Sequence, residues 1–173
     1  MKQQSPANLE NLAGMPAVEK IRKIAEGARS CLFGTMRAGQ PLEVRPMAVQ
    51  KVDEAGRIWF LSGRDSNKNH RLEHDSHVQL LFANPGASEF LSVTGRATVS
   101  DDRALREKFW TPMAKTWFPG GVDDPQLTVI GVQIDGGHYW DTVHGKAITL
   151  MKIAAGAVTG KNHNVGVEGA VRP

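Results

Sequence analysis

The stretch Glu43–Ser62, EVRPMAVQKVDEAGRIWFLS, reads as two strands joined by a tight turn, with branched and aromatic residues on either side of an acidic-Gly breaker. An arginine and a proline interrupt it where the first strand should be most regular. Proline has no N–H to donate and biases the residue before it toward extended backbone, so Pro46 belongs on an edge strand or at a bulge. Side chains alternate along an extended segment, which puts Arg45, Met47 and Val49 on one face and Pro46, Ala48 and Gln50 on the other. A guanidinium sharing a face with two apolar residues needs an anionic partner, because its planar fork of donors is costly to bury unpaired. This stretch alone leaves two readings open: an internal salt bridge or solvent exposure at an edge, and an anionic ligand.

The same punctuation continues outward in both directions. CLFGTM, LEVRPMAVQKV, RIWFLS, HVQLLFAN, EFLSVTGRATVS and QLTVIGVQID are short runs rich in strand-forming residues, separated by RAGQP, DEAG, NPGAS and DGG. Most of the links are too short for helical crossovers, so the spacing predicts an antiparallel barrel or sandwich. Before them, Val18, Ile21, Ile24, Ala25 and Ala28 recur at helical spacing behind Pro16, predicting one amphipathic helix. Two links carry helices of their own, SNKNHRLEHD and DDRALREKFWTPMAKTW, the second opening with acidic residues suited to the positive end of a helix. The organisation expected is an N-terminal extension over 1–15, one domain over 16–160 and a loose tail over 161–173, where apolar content is low.

Composition bounds the function. A chain of 173 residues, 40% hydrophobic and 23% charged, is the size and make-up of one folded domain. A single cysteine, Cys31, cannot form an internal disulfide, and the first residues lack the apolar core of a signal peptide, so a reducing, cytoplasmic setting is expected. The apolar run ITLMKIAAGAV is too short to span a bilayer and is interrupted by Lys152. A formal charge of +3 makes no case for nucleic acid, which needs a clustered basic face, and suits a phosphorylated small molecule.

A second anion site adjoins the first. Ser66 is a natural N-cap for the helix begun by NKNHRLEH, and together with first-turn N–H groups and Lys68 it makes a phosphate seat. The alternative is a Ser66 that only caps and a Lys68 in solvent. The segment RPMAVQKVDEAGRIWFLSGRDSNKNHRLEHDSHVQLLF, an Arg-led strand, an acidic-Gly turn, an aromatic strand, Ser-x-Lys and a further apolar strand, resembles the pyridoxamine 5′-phosphate oxidase-like, FMN-binding split-barrel proteins. KFWTPMAKTWFPGGVDDP and GHYWDT are similar to the general stress protein 26 branch of that superfamily. The resemblance spans roughly residues 18 to 160. It implies a mainly β, antiparallel Greek-key split barrel with peripheral helices, a homodimer, and FMN (with FAD as an alternative) in two interface clefts. It further implies that Arg45, Ser66 and Lys68 bind the flavin phosphate and that Pro46, Met47, Phe60, Leu61 and Ser62 line the flavin site.

Departures limit the chemistry that follows. Pyridoxamine phosphate oxidases have a lysine where this chain has Gln50, Phe90 falls near where they place a glutamine, and their C-terminal Arg and His have no counterpart in HYWDTVHGKAITLMK. A flavin-dependent oxidoreductase that is not a true pyridoxamine phosphate oxidase is therefore expected. A non-catalytic flavin-binding stress protein and a deazaflavin-dependent reductase are the alternatives.

Three further motifs compete. HRLEH matches the zinc-peptidase order H-x-x-E-H through His70, Glu73 and His74, with His77 near. On a short helix whose one apolar residue, Leu72, faces the core, those histidines are expected in solvent without a third ligand. GAVTGKN lacks the glycine spacing and the Ser or Thr of a nucleotide loop. Trp110, Trp117, Phe118 and Trp140 read equally as core, dimer interface or ring-stacking surface.

Overall fold

The structure, a computed structural model, describes residues 8–36, 39–142 and 166–173. Its elements are β1 (Asn8–Leu9), β2 (Leu12–Ala13), α1 (Met15–Ala28), β3 (Ser30–Thr35), β4 (Glu43–Ala48), β5 (Lys51–Val52), β6 (Ile58–Gly63), α2 (Asn67–His74), β7 (His77–Asn84), β8 (Glu89–Ser100), α3 (Arg103–Phe109), β9 (Leu127–Thr142) and β10 (Gly166–Arg172). All six predicted strands are present, the second divided into β4 and β5. They form one sheet in the order β1-β10-β9-β8-β7-β3-β4, with β6 on the other side of β9 and β5 beyond it. The sheet curls into a barrel but does not close, since β4 and β5 are edges with no ladder between them and β1–β2 form a further edge beside β10. This is the expected Greek-key split barrel.

One strand makes the split possible. β9 is 16 residues long, and its first half lies between β6 and the end of β8, its second half between β10 and the start of β8. The change comes at a bulge: Thr94 faces Gly136 but Gly95 faces Ile134, which leaves Asp135 as the extra residue. Glycine is required there by close approach, since a Cβ on Gly95 would lie 2.2 Å from the Gln133 carbonyl oxygen and one on Gly137 2.2 Å from that of Ser92. Arg96 then holds the displaced Asp135 at 2.9 Å.

Helix α1 seals one side of this barrel. Ala17, Ile21, Ile24 and Ala25 on its inner face join Phe33, Phe60, Leu80, Val93, Ile130 and Tyr139 in the main core. Pro16 sits in its first turn, as its locked φ and missing N–H favour. The predicted DEAG turn is built on Asp53, whose carboxylate accepts from Ala55 N, Arg57 N and Trp59 Nε1 at 3.1, 2.9 and 2.9 Å.

Two expectations are corrected. The segment after residue 160 is not wholly a loose tail: β10 pairs antiparallel with β9 and buries Val167 and Val171. Val167, Gly169 and Val171 take the buried face in alternation with Gly166, Glu168 and Ala170, a strand pattern that low apolar content obscured. The N-terminal residues β1 and β2 pair with β10 in parallel, so the sheet is mixed at this edge. The second predicted linking helix is also shorter than its pattern. α3 starts at Asp102, whose carboxylate accepts from Leu105 N at 2.9 Å, and ends at Phe109 because Pro112 cannot continue it; a 3₁₀ turn, Pro112–Thr116, follows.

Ion pairs fasten α1 to the β8–β9 edge. Lys20 and Lys23 reach the buried Asp141 at 2.9 and 3.0 Å, and Lys23 also reaches the buried Glu89 at 2.8 Å. Burial pushes the Asp141 carboxyl upward, but hydrogen bonds from Lys20 and Lys23 outweigh it and hold Asp141 below its ordinary value. A carboxyl lowered in the folded state stabilises above its unfolded pKa, and that contribution disappears as pH falls through the folded value. Asp141→Asn is therefore expected to cost about 2 kcal/mol near neutral pH, the scale of hydrogen bonds to a charged group. Denaturant melts at descending pH should show the gap between wild type and variant closing below about pH 4, where free aspartate titrates; a gap that stayed constant into acid would refute this account.

Candidate functional site

Arg45 occupies the start of β4, opposite Phe33 in the β3 register, and β4 is an edge of the sheet, where Pro46 costs no ladder bond on its open side. Its guanidinium donates to the Thr35 hydroxyl at 2.9 Å and to Glu43 Oε1 at 2.6 Å. Thr35 is fully buried, so this contact anchors Arg45 to the barrel rim. The second oxygen of Glu43 lies 2.5 Å from Arg71 Nη2 on α2. Lys68, one turn earlier on that helix, has its ammonium pushed below the ordinary value by burial and by the charge of Arg45. Arg45 and Arg71 thus share one carboxylate, and Lys68 lies near enough to Arg45 to feel its charge. Of the two partners left open for Arg45, the structure shows the internal one, the Glu43 carboxylate.

The start of α2 is held by a buried polar chain. Ser66 caps the helix by accepting from Asn69 N at 3.4 Å. Ser62 Oγ donates to Asn69 Oδ1 at 2.7 Å, Asn69 Nδ2 donates to Thr128 Oγ1 at 3.0 Å, and Thr128 Oγ1 donates to the Ser62 carbonyl at 2.8 Å. The loop ties the end of β6 to α2 and β9, and it satisfies groups that would otherwise be costly to bury. Asn69 and Thr128 also line a groove of about 380 Å³ bounded by Arg64, Glu73, Ser100 and Asp101.

The predicted site residues divide by orientation. Met47 and Phe60 point into the core, Phe60 edge-on to Phe33 with ring centroids 5.3 Å apart, so toward a ligand they have only backbone to offer. Pro46 is exposed, Leu61 is half-buried against the aromatic clusters beside α3, and Ser62 is committed to the polar chain. Arg45 and Lys68 come together; Ser66 belongs to the same helix start. Arg71 escaped the sequence reading because it lay inside the HRLEH motif, where attention fell on the histidines. The signal that could have found it is spacing: Lys68 and Arg71 are three apart and share a helix face.

The competing motifs are placed as follows. His70 and His74 are exposed on α2, His77 pairs with Asp75 at 2.8 Å, and among the described residues no three His, Cys, Asp or Glu side chains gather as a metal site would require. Cys31 is buried, which pushes its thiol up to about 12 and makes it a small core residue rather than a nucleophile. The aromatic set separates: Phe118 is packed against Ala114 and Leu127, whereas Trp117 is 69% exposed and Trp140 is exposed on the sheet. GAVTGKN, Lys146 and Lys152 lie outside the described residues. Among the described residues no helix is long and apolar enough to cross a membrane.

Comparison with known proteins agrees with this architecture. The profile of the family described as pyridoxamine 5′-phosphate oxidase like matches residues 16–164. Protein bli-3 of Neurospora crassa is 29% identical over 169 residues, covering 90% of this chain and 79% of that protein. General stress protein 26 of Bacillus subtilis is 23% identical over 79 residues, 44% of this chain and 56% of that protein. Among solved structures, a general stress protein 26 homologue from Jannaschia superposes with a TM-score of 0.76 at 24% identity, covering 92% of this chain and all (100%) of that one. The general stress FMN/FAD binding protein of Xanthomonas citri superposes with a TM-score of 0.62 at 25% identity, covering 71% of this chain and 89% of that one. The chain belongs to the pyridoxamine 5′-phosphate oxidase-like family.

Proposed function

We propose that this protein binds FMN, with FAD as the alternative, and that the flavin phosphate sits on Arg45, Lys68 and Arg71 beside the Ser66 cap. The observation that carries the reading is the cation cluster at the barrel rim: Arg45 and Arg71 share the Glu43 carboxylate, and Lys68, lowered by burial and then by the charge of Arg45, adds to a cluster that calls for further negative charge. A phosphate dianion supplies it, and guanidinium and ammonium donors match its oxygens. The similarity to the general stress FMN/FAD binding protein of Xanthomonas citri supports the same ligand. The open β4 edge at Pro46 and the backbone of Phe60 and Leu61 then provide polar groups for the ring. A bound flavin supplies hydride or electron transfer, while this chain's residues hold the phosphate and orient the ring. Absorption of the purified protein, followed by chromatography of the released cofactor, tests the assignment directly.

The protein is also proposed to be a two-fold dimer. The outward face of β4, β3, β7 and the adjoining halves of β8 and β9 carries Val44, Leu32, Leu81, Phe90 and Trp140, and its register positions up to Thr94 and from Gly136 hold no Asp, Glu, Lys or Arg. Charge returns only at its margins, with Arg96, Asp135 and Glu168. An uncharged centre with a charged rim is the composition of a protein interface, and a second copy of the same face is its simplest cover. This face, rather than the surroundings of Trp117 and the buried Phe118, is the better candidate.

Three outcomes follow. Arg45→Ala and Lys68→Ala should each weaken FMN binding by about 1.5–3 kcal/mol without unfolding the chain, and riboflavin should bind wild type much more weakly than FMN; equal affinities for the two flavins would remove the phosphate assignment. Sedimentation should give a dimer, and Leu32→Asp should dissociate it by burying a charge without a partner; a flavin-loaded wild-type monomer would rule out the sheet-face interface. Saturated with FMN, the protein should take up no oxygen with pyridoxamine phosphate, and anaerobic bleaching by NADPH would mark it as a flavin reductase instead of a carrier. Robust oxygen uptake with pyridoxamine phosphate would overturn that expectation.

A further inference from the structure

Glu43 is held as a phosphate would be. One of its oxygens is 2.6 Å from Arg45 Nη2 and the other 2.5 Å from Arg71 Nη2, so a single carboxylate bridges a guanidinium on the sheet and another on α2. Arg45 does not depend on it for position, because Thr35 holds the other end of the guanidinium from the buried rim. Glu43 is the first residue of β4 and its side chain is 36% exposed, so rotation about its own bonds carries the carboxylate to water without disturbing the ladder. We propose that Glu43 is a built-in stand-in for the ligand's phosphate, occupying the anion seat in the empty protein and swinging out when a phosphate monoester enters.

The proposal rests on the flavin reading above and adds a selection rule to it. A phosphate dianion brings two charges to the three cations where Glu43 brings one, so it can displace the carboxylate. Riboflavin, having no phosphate, cannot. The stand-in also keeps the arginines from repelling one another in the empty state, a role that a carboxylate can fill and a neutral amide cannot. Removing the charge should therefore do two opposite things: destabilise the empty protein, and strengthen the capture of phosphate.

The test is titration of flavin-free wild type and Glu43→Gln with FMN and with riboflavin, beside thermal melts in rising inorganic phosphate. Glu43→Gln is expected to bind FMN about three- to tenfold more tightly, the effect of removing a competing, partly exposed ion pair, and riboflavin within about twofold of wild type. Its Tm is expected to be lower than wild type's in the absence of phosphate and to rise more as phosphate is added. Glu43→Asp, which keeps the charge but reaches the two arginines less well, should fall between, and it serves as the variant to titrate if Glu43→Gln is too unstable. Unchanged or weaker FMN binding in both variants overturns the stand-in and makes Glu43 a brace for the arginines, leaving the flavin reading intact. If FMN binds neither wild type nor variant while phosphate still protects Glu43→Gln more than wild type, the flavin reading fails and the stand-in holds; if phosphate protects neither, both are overturned.

Discussion

β9 has to serve two neighbourhoods, and the bulge at Asp135 lets it do so. β6 and β10 share the flank of β9 opposite β8, β6 along Leu127–Val132 and β10 along Gly137–Thr142, with the bulge between them. With an extra residue in place, the first half turns toward β6 and closes most of the barrel, while the second half runs on to receive β10. Gly95 and Gly137 pack so tightly at this point that any side chain would collide with backbone. The barrel is split because the edges β4 and β5 are left without a ladder between them.

The candidate site inherits its position from that arrangement. β6 leads into α2, and the Ser62–Asn69–Thr128 chain anchors the helix start to β9. Once α2 is fixed, Lys68 and Arg71 face the rim where β3 ends and β4 begins, and there they meet Arg45, Thr35 and Glu43. Groups separated along the chain by a hairpin and a strand are brought within hydrogen-bond reach. The mutual repulsion of the guanidinia is tolerated because Glu43 lies between them.

The apolar surface is organised by the same sheet. One face of the central strands meets α1 in the core; the opposite face, from Val44 to Trp140, carries large apolar groups to the surface. Phe90 stands where the related oxidases are expected to have a glutamine, and here it pairs across the β8–β9 ladder with Trp140. Phe90 is thereby part of the uncharged face.

Local patterning made most of the elements legible. Alternation of branched residues defined the strands, helical spacing behind Pro16 defined α1, and the Asp53 turn followed from an acidic-Gly cluster, because each depends on interactions within a few residues. Arg45 and Pro46 announced an edge strand in need of an anion for the same reason: an unpaired guanidinium and a missing N–H are costs fixed by residue type. Several features depended on residues distant in sequence, and only the fold decided them. The valines of β10 have too little apolar neighbourhood of their own to declare a strand, and become core when β9 lies beside them. Met47 and Phe60 were read as possible site side chains, but the curl of the sheet turned them inward. Arg71 looked like a spacer between histidines until packing of α2 against the rim aimed it at Glu43. Side-chain chemistry is written residue by residue, whereas which charges share a low-dielectric neighbourhood is a property of the assembled chain, and that is why the need of Arg45 for an anionic partner was legible in advance while Glu43 and Arg71 were joined to it only by tertiary structure.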